Sequence, residues 1–258
     1  MTFVLDAGWE PFKDWAIWRF LLEGLWLSLR IAGFSIVFSV FLGTAMAVGR
    51  LSSVATLRWA TATYVEVFRA TPLLLLLFFV FFGAGRADLL WVRDLPAIGN
   101  GIVDDRGHLL AVPSAVIALT LYNSAVVAEI MRAGILSISK GIIEASRSLG
   151  LTYLQSMRFV AVPMALRRMA PGLVSQLITL FKDTSLASII TVLELMRRAR
   201  LVYDNPAYAN SLETLTVVAF MYFIPAYALS LLAQRLESGP EARATRAAAA
   251  IPADVKAG

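Results

Sequence analysis

The 258-residue chain contains no cysteine, which excludes a disulfide framework, a thiolate metal site and a cysteine nucleophile. Histidine occurs once, as His108, and with no second histidine a His-rich metal site or a triad built on it has little to stand on. Charge is scarce as well. Asp, Glu, Lys and Arg make up 16% of the residues against 59% hydrophobic, and the mean hydropathy is +0.72, where soluble domains carry about a quarter charged residues. The net charge of +5 is scattered, without a dense basic run or interleaved aromatics, which argues against a nucleic-acid partner. No G-x-x-x-x-G-K-[ST] run is present to cradle nucleotide phosphates, and the G-x-G of "FFGAGRADLL" lacks the third glycine and the preceding strand of a dinucleotide fingerprint. The opening "MTFVLDAGWEPFKDW" lacks a basic n-region, an apolar core and a small-residue cleavage site, so no cleaved signal peptide is expected.

What is present is apolar sequence in bilayer-length runs. Five spanning segments are expected, at about Leu25 to Val48, Leu57 to Phe82, Val112 to Met131, Met169 to Val192 and Leu212 to Leu232. Helices are required, because backbone groups in hydrocarbon must be satisfied within their own segment. The expected fold is therefore an all-α integral membrane domain over residues 1–238, followed by an Ala-rich, disordered tail at 239–258. Turn signals (Pro96, Asn100-Gly101, "DDRG") make Gly83 to Ala111 a connecting loop. Five spans put the termini on opposite sides. With the N-terminus outside, twelve Lys and Arg fall on inner segments, eight on outer ones, and Arg30, Arg69 and Lys182 within spans. The bias favours an external N-terminus and a cytoplasmic C-terminus.

One inner segment is polar and heavily capped: "EASRSLGLTYLQSMRFVAVP", Glu144 to Pro163. Ser139 or Ser137 can cap a short helix through Leu149, which Gly150 ends in the left-handed conformation; Thr152 and Gln155 form a T-x-x-Q capping box for a second helix, which Pro163 limits. The expected product is a helix-turn-helix knob over about 139–163, read from the residues alone either as a tight loop or as a docking surface.

Glu144-Ala145-Ser146, then Gly150, then Val160-Ala161-Val162-Pro163, resembles the EAA motif of the membrane subunits of bacterial ATP-binding-cassette importers, with Ser for the second Ala and Val at two positions usually Ile and Leu. "YVEVFRATPLLLLLFFVFFG" from Tyr64, "YNSAVVAEIMRAGI" from Tyr122, "ALRRMAPGLVSQLITLFKDTSLASI" from Ala165 and "VLELMRRAR" from Val192 are similar to the polar amino-acid branch of that family. Ala70 and Ala133 replace glycines common there. The resemblance spans about Leu25 to Glu237. It implies a permease subunit of the bacterial inner membrane that imports polar amino acids or related zwitterions by alternating access and has no catalytic site of its own. It further implies a second permease subunit, cytoplasmic ATPase subunits that hold ATP and magnesium, and an extracytoplasmic substrate-binding protein. Glu144, Ala145, Ser146, Gly150 and Pro163 would couple the chain to the ATPase. This chain would bind no cofactor or metal. The alternative is an ion-coupled transporter or channel subunit, which would need no such knob and would usually show internal repeats with broken helices.

Four ionisable residues lie toward the middle of the second and fourth spans, where charge is costly. Glu66 and Arg69 can pair on one helix face, while Lys182 and Asp183 project about 100° apart and need partners on other helices. Together they read as a neutral brace or as the wall of a translocation path. Glu129 and Arg132 form a further i, i+3 pair near the inner boundary. Pro72 kinks or breaks the second span.

Overall fold

The computed structural model describes residues 9–86, 111–206 and 211–237. The expected loop around His108 and the expected disordered tail lie outside the described residues. Every regular element among those described is helical, as a chain poor in charge and rich in bilayer-length apolar runs requires.

A 3-10 turn, Glu10–Lys13, leads into α1 (Trp15–Arg50), whose N-terminus is capped by Asp14 accepting from the Ala16 amide at 2.8 Å. At 36 residues α1 is about 54 Å long, well beyond the roughly 30 Å of a hydrocarbon core. It starts at Trp15 rather than near Leu25, because its first turns pack on protein: Leu21 and Gly24 are buried there. Ser28, Ser35, Ser39, Gly43 and Ala47 line one buried face further along.

Against that face, in parallel, lies α4 (Ala111–Leu136), the most enclosed span. Ser35 donates to the Val116 carbonyl at 3.4 Å and Ser39 to that of Thr120 at 3.3 Å. A Cβ at Gly43 would stand 2.7 Å from Val127 Cγ1 and 2.8 Å from the Ser124 carbonyl, so only glycine lets the two backbones come this close. Such small-residue contacts replace, between lipid-solvated helices, the hydrophobic drive that water would supply.

The second expected span is two helices, α2 (Ala55–Ala70) and α3 (Leu73–Arg86), at 106° to each other. Proline disfavours the helical conformation in the residue before it and has no N–H to continue the ladder. Thr71 is accordingly extended (φ −81°, ψ 127°), its hydroxyl turned back to the Val67 carbonyl at 2.8 Å.

After α5 (Lys140–Ser148) the chain runs as one 38-residue helical stretch from Tyr153 to Ile190. It comprises α6 (Tyr153–Ser156), a π-helical turn (Met157–Ala161), α7 (Val162–Asp183) and a 3-10 segment (Thr184–Ile190). The expectation that Pro163 limits the second short helix is therefore corrected. The π turn carries the Val162 amide to the Met157 carbonyl, five residues back, just before the proline ring enters, and the helix continues through it. The fourth span consequently begins well before Met169.

α7 returns antiparallel to α4, with Gly172 over Ile130 and Gly134 over Met169. The left-handed Thr191 (φ 68°) ends the 3-10 segment, and α8 (Leu195–Tyr203) and α9 (Ser211–Glu237) complete the bundle. Among the described residues four helices are long and apolar enough to cross a membrane, or five crossings if α2 and α3 share one. Phe38, Phe41, Phe79, Phe220 and Ile224 point away from the protein, which suits lipid as solvent.

Candidate functional site

The knob is built as its sequence demands. Ser139 stands at the N-cap of α5 but makes no side-chain capping bond; the Ser137 hydroxyl donates instead to the Gly134 carbonyl at 2.7 Å. At the other end Gly150 adopts φ +88°, its amide bonded to the Arg147 carbonyl at 3.0 Å and that of Leu151 to the Ser146 carbonyl at 3.3 Å. These two bonds make a complete Schellman stop. Two residues on, Thr152 accepts from the Gln155 amide at 3.3 Å while the Gln155 side chain accepts from the Thr152 amide at 2.9 Å.

The turn between α5 and α6 is thus held by four hydrogen bonds, all local. Ser146 is buried and donates to the Ile143 carbonyl at 2.8 Å, whereas Glu144, Ala145 and Gly150 are exposed and Pro163 is half-buried. Leu149 and Leu154 are 85% and 78% exposed, which makes the tip of the knob an apolar surface with a defined shape. Arg168 on α7 ties the knob's root down by donating to the Ser137 carbonyl at 2.6 Å.

The mid-span charges are arranged differently from the pairs the sequence suggests. Glu66 does not turn to Arg69; its carboxylate lies 3.6 Å from Arg50, the last residue of α1. Arg50 also contacts Glu129 on α4, which binds Arg132 at 3.0 Å. The Glu129–Arg132 pair is present as expected, but it is one edge of a cluster of two cations and two anions that joins α1, α2 and α4. Arg50 could not be read into it, because 79 residues separate it from Glu129. Arg69 is exposed, Lys182 is exposed and Asp183 is half-buried, and among the described residues none of the three has an ion-pair partner. Lys182 and Asp183 are therefore not bridged to Arg69 or Glu66.

A second polar cluster had no individual signal in the sequence. Glu194, at the N-cap of α8, is fully buried. It accepts from the amides of Arg197 (2.8 Å) and Met196 (2.9 Å), from the Tyr222 hydroxyl on α9 (2.7 Å) and from Ser28 on α1 (3.2 Å). Burial pushes its carboxyl above the usual range, and the four hydrogen bonds pull the other way. Beside it, Arg198 donates to the Leu193 and Phe20 carbonyls and to Glu23 at 2.9–3.0 Å, and its guanidinium stands 4.6 Å over the Phe20 ring. Gly24 permits this approach, since a Cβ there would lie 2.8 Å from Arg198 Cδ and 2.9 Å from Leu195 Cα. A hint was available in hindsight: Glu194 precedes an amphipathic "LMRRARLVY" at the cap position, where a carboxylate can satisfy free amides.

Among the described residues no group of His, Asp and Glu could hold a metal ion. The architecture is thus that of a polytopic helical membrane protein with a rigid surface knob, polar clusters at both ends of α1 and no metal cluster in the described part. Residues 39–239 match the family described as "Binding-protein-dependent transport system inner membrane component", and the chain belongs to that family. It is an inner-membrane permease component of an ABC transporter.

The chain is 41% identical over 219 residues, 84% of it and 92% of the relative, to the probable glutamine ABC transporter permease protein GlnP of Bacillus subtilis. It is 35% identical over 253 residues, 97% of it and 86% of the relative, to the glutamate transport system permease protein GluD of Corynebacterium glutamicum. Among solved structures, an amino acid ABC transporter crystallised with histidines superposes with a TM-score of 0.71 at 29% identity, covering 85% of this chain and 93% of that one. The inward-facing MetNI methionine ABC transporter shares the fold, at a TM-score of 0.64 and 22% identity over 86% and 97% of the two chains.

Proposed function

We propose that this chain is the permease subunit of an importer for polar amino acids or related zwitterions, with its N-terminus outside and its C-terminus in the cytoplasm. Two such subunits, identical or homologous, form the pathway. Cytoplasmic ATPase subunits carry ATP and magnesium, and an extracytoplasmic binding protein delivers the solute. The α5–α6 knob is cytoplasmic, and Glu144, Ala145, Ser146, Gly150 and Pro163 belong to the surface through which ATPase closure reaches the spans. Lys182 and Asp183 border the path, and Glu66 and Arg69 belong to its inner rim.

The observation that carries this reading is the knob itself. A surface turn fixed by a Schellman stop and a capping box, yet exposing Leu149 and Leu154, is stiff enough to transmit force and apolar enough to sit in a partner's groove. Continuity of α6 with α7 through the π turn gives that force an unbroken helical route into a span. The relatives named for glutamine and glutamate transport support the solute class.

The test is Gly150→Val in the reconstituted complex. A β-branched residue is poorly suited to φ +88°, so the variant should insert and fold but hydrolyse ATP without importing solute. Wild-type uptake at wild-type expression would refute the coupling role. Because the native chain lacks cysteine, the same preparation allows Ser148→Cys to be tested for labelling by membrane-permeant thiol reagents only, as a cytoplasmic knob requires.

A further inference from the structure

Among the described residues, one side of α1 is left uncovered from end to end. Leu21, Gly24 and Leu27 turn inward onto the bundle, whereas Trp15, Arg19, Leu22 and Trp26 recur on the outward side at steps of four, three and four residues, and all four are exposed. The same side carries the exposed Val37 and Phe41 within the apolar run. Apolar side chains turned outward at that depth meet lipid, and the lipid that covers them rises along the same side to Trp26 and Leu22.

The length of α1 gives the level. Arg50, in its ion cluster with Glu66 and Glu129, marks the inner edge of the bilayer. From it Trp26 lies about 36 Å and Arg19 about 46 Å along the axis, or about 34 and 44 Å across the membrane at the usual tilt of about 20°. A bilayer with its headgroups is about 40–45 Å thick, so Trp26 and Arg19 bracket the far headgroup layer, where indoles collect. Charge then selects the phosphate in that layer. Glu23 is shared by Arg19 at 3.1 Å and Arg198 at 2.9 Å, two cations on one carboxylate. Arg198 has 15% of its side chain exposed and is engaged by two carbonyls and the Phe20 ring, whereas Arg19 is 75% exposed. The surplus positive charge is therefore presented by Arg19, and a guanidinium binds phosphate oxygens through charge-assisted hydrogen bonds.

We propose that Arg19 and Trp26 form a phospholipid site, with the Arg19 guanidinium on the headgroup phosphate of an outer-leaflet lipid and the Trp26 indole against its glycerol ester region. Glu23 joins the lipid-bound Arg19 to Arg198, and so to α8. The leaflet rests on the external N-terminus proposed above; the contact itself does not.

Leu22, between the two residues, is the place for a reporter, and the native chain has no competing thiol. Leu22→Cys is labelled with bimane in the complex with its ATPase subunits, in dodecyl maltoside, and titrated with phosphatidylcholine carrying a nitroxide on its choline or with a diacylglycerol carrying the same nitroxide. The phospholipid should quench at the lower concentration. Arg19→Gln should raise its half-quenching concentration about three- to tenfold, the scale of one charge-assisted hydrogen bond lost at an exposed position, and Arg19→Lys should recover much of it. Equal quenching by the two lipids overturns the site, as does phospholipid quenching that Arg19→Gln leaves unchanged. A bimane that neither lipid quenches overturns it too, since a second copy of the chain then covers the stripe. So does quenching that added substrate-binding protein abolishes, since the stripe is then that protein's docking surface. Lys13→Cys in spheroplasts decides the leaflet separately: an impermeant thiol reagent added outside should label it, and labelling only after permeabilisation would refute the external N-terminus and the outer-leaflet assignment while leaving the quenching result to decide the contact.

Discussion

Glu129 and Glu194 are both carboxylates tied to α1, one near each end of it, and they are satisfied in opposite ways. Glu129, with 19% of its side chain exposed, is held by the guanidinium groups of Arg50 and Arg132, while Arg50 also reaches the exposed Glu66. Glu194, with none exposed, is held by two backbone amides and two hydroxyls. Charge neutralises charge at one end; neutral donors satisfy a buried carboxyl group at the other. The first arrangement can be dismantled in matched pairs, because its donors are side chains. The second cannot, because half of its donors are main chain. The end that holds Glu194 should therefore behave as a rigid unit of α1, α8 and α9, while the Arg50 cluster can exchange partners as α2 moves.

The largest effect is expected at the rigid end. Glu194→Leu leaves the Met196 and Arg197 amides and the Tyr222 hydroxyl without this acceptor, while Ser28 keeps the Gly24 carbonyl at 3.2 Å; at about 1–3 kcal/mol for each buried unpaired donor, the loss should exceed about 3 kcal/mol and no second substitution should recover it. Thermal unfolding in detergent, followed by size-exclusion of the surviving fraction, measures this. A near-native melting profile for Glu194→Leu would mean that the four bonds carry little of the fold.

At the opposite end Glu129→Leu should cost about 2–4 kcal/mol, somewhat below the range for fully buried pairs because Arg132 can reach water. Here the matched change should help: Arg50→Leu with Glu129→Leu should return to within about 1 kcal/mol of wild type, as replacement of ion pairs by apolar groups often does. Additive losses in that double variant would erase the distinction between the two clusters. The smallest effect belongs to Glu66→Gln. Its side chain is 66% exposed and its contact with Arg50 is 3.6 Å long, so stability should change by about 0–1 kcal/mol. A larger loss would show that α2 depends on this arm.

Residue order fixes what lies within a few positions along the chain. The helical class follows from bilayer-length apolar runs; the Schellman stop at Gly150, the capping box at Thr152 and the break at Pro72 follow from the dihedral limits and donor counts of the residues concerned, and all three are present where they were read. Some local readings gave way: neither Ser139 nor Ser137 caps α5 with its side chain, Glu66 does not pair with Arg69, and a proline expected to end a helix is passed by a π turn, because the packing of α7 on α4 and α9 outweighs one shifted hydrogen bond. Which charges meet is settled by the packing of segments distant in the chain. Glu66 faces Arg50 instead of Arg69, Glu129 gains Arg50 from 79 residues away, and Glu194 receives Ser28 from 166 residues away. These partners are chosen by how closely α1 can approach its neighbours, which depends on Gly24 and Gly43 meeting Leu195 and Val127. Local rules fix the conformation of each segment, but packing sets which polar groups are left facing one another once lipid and protein have excluded water.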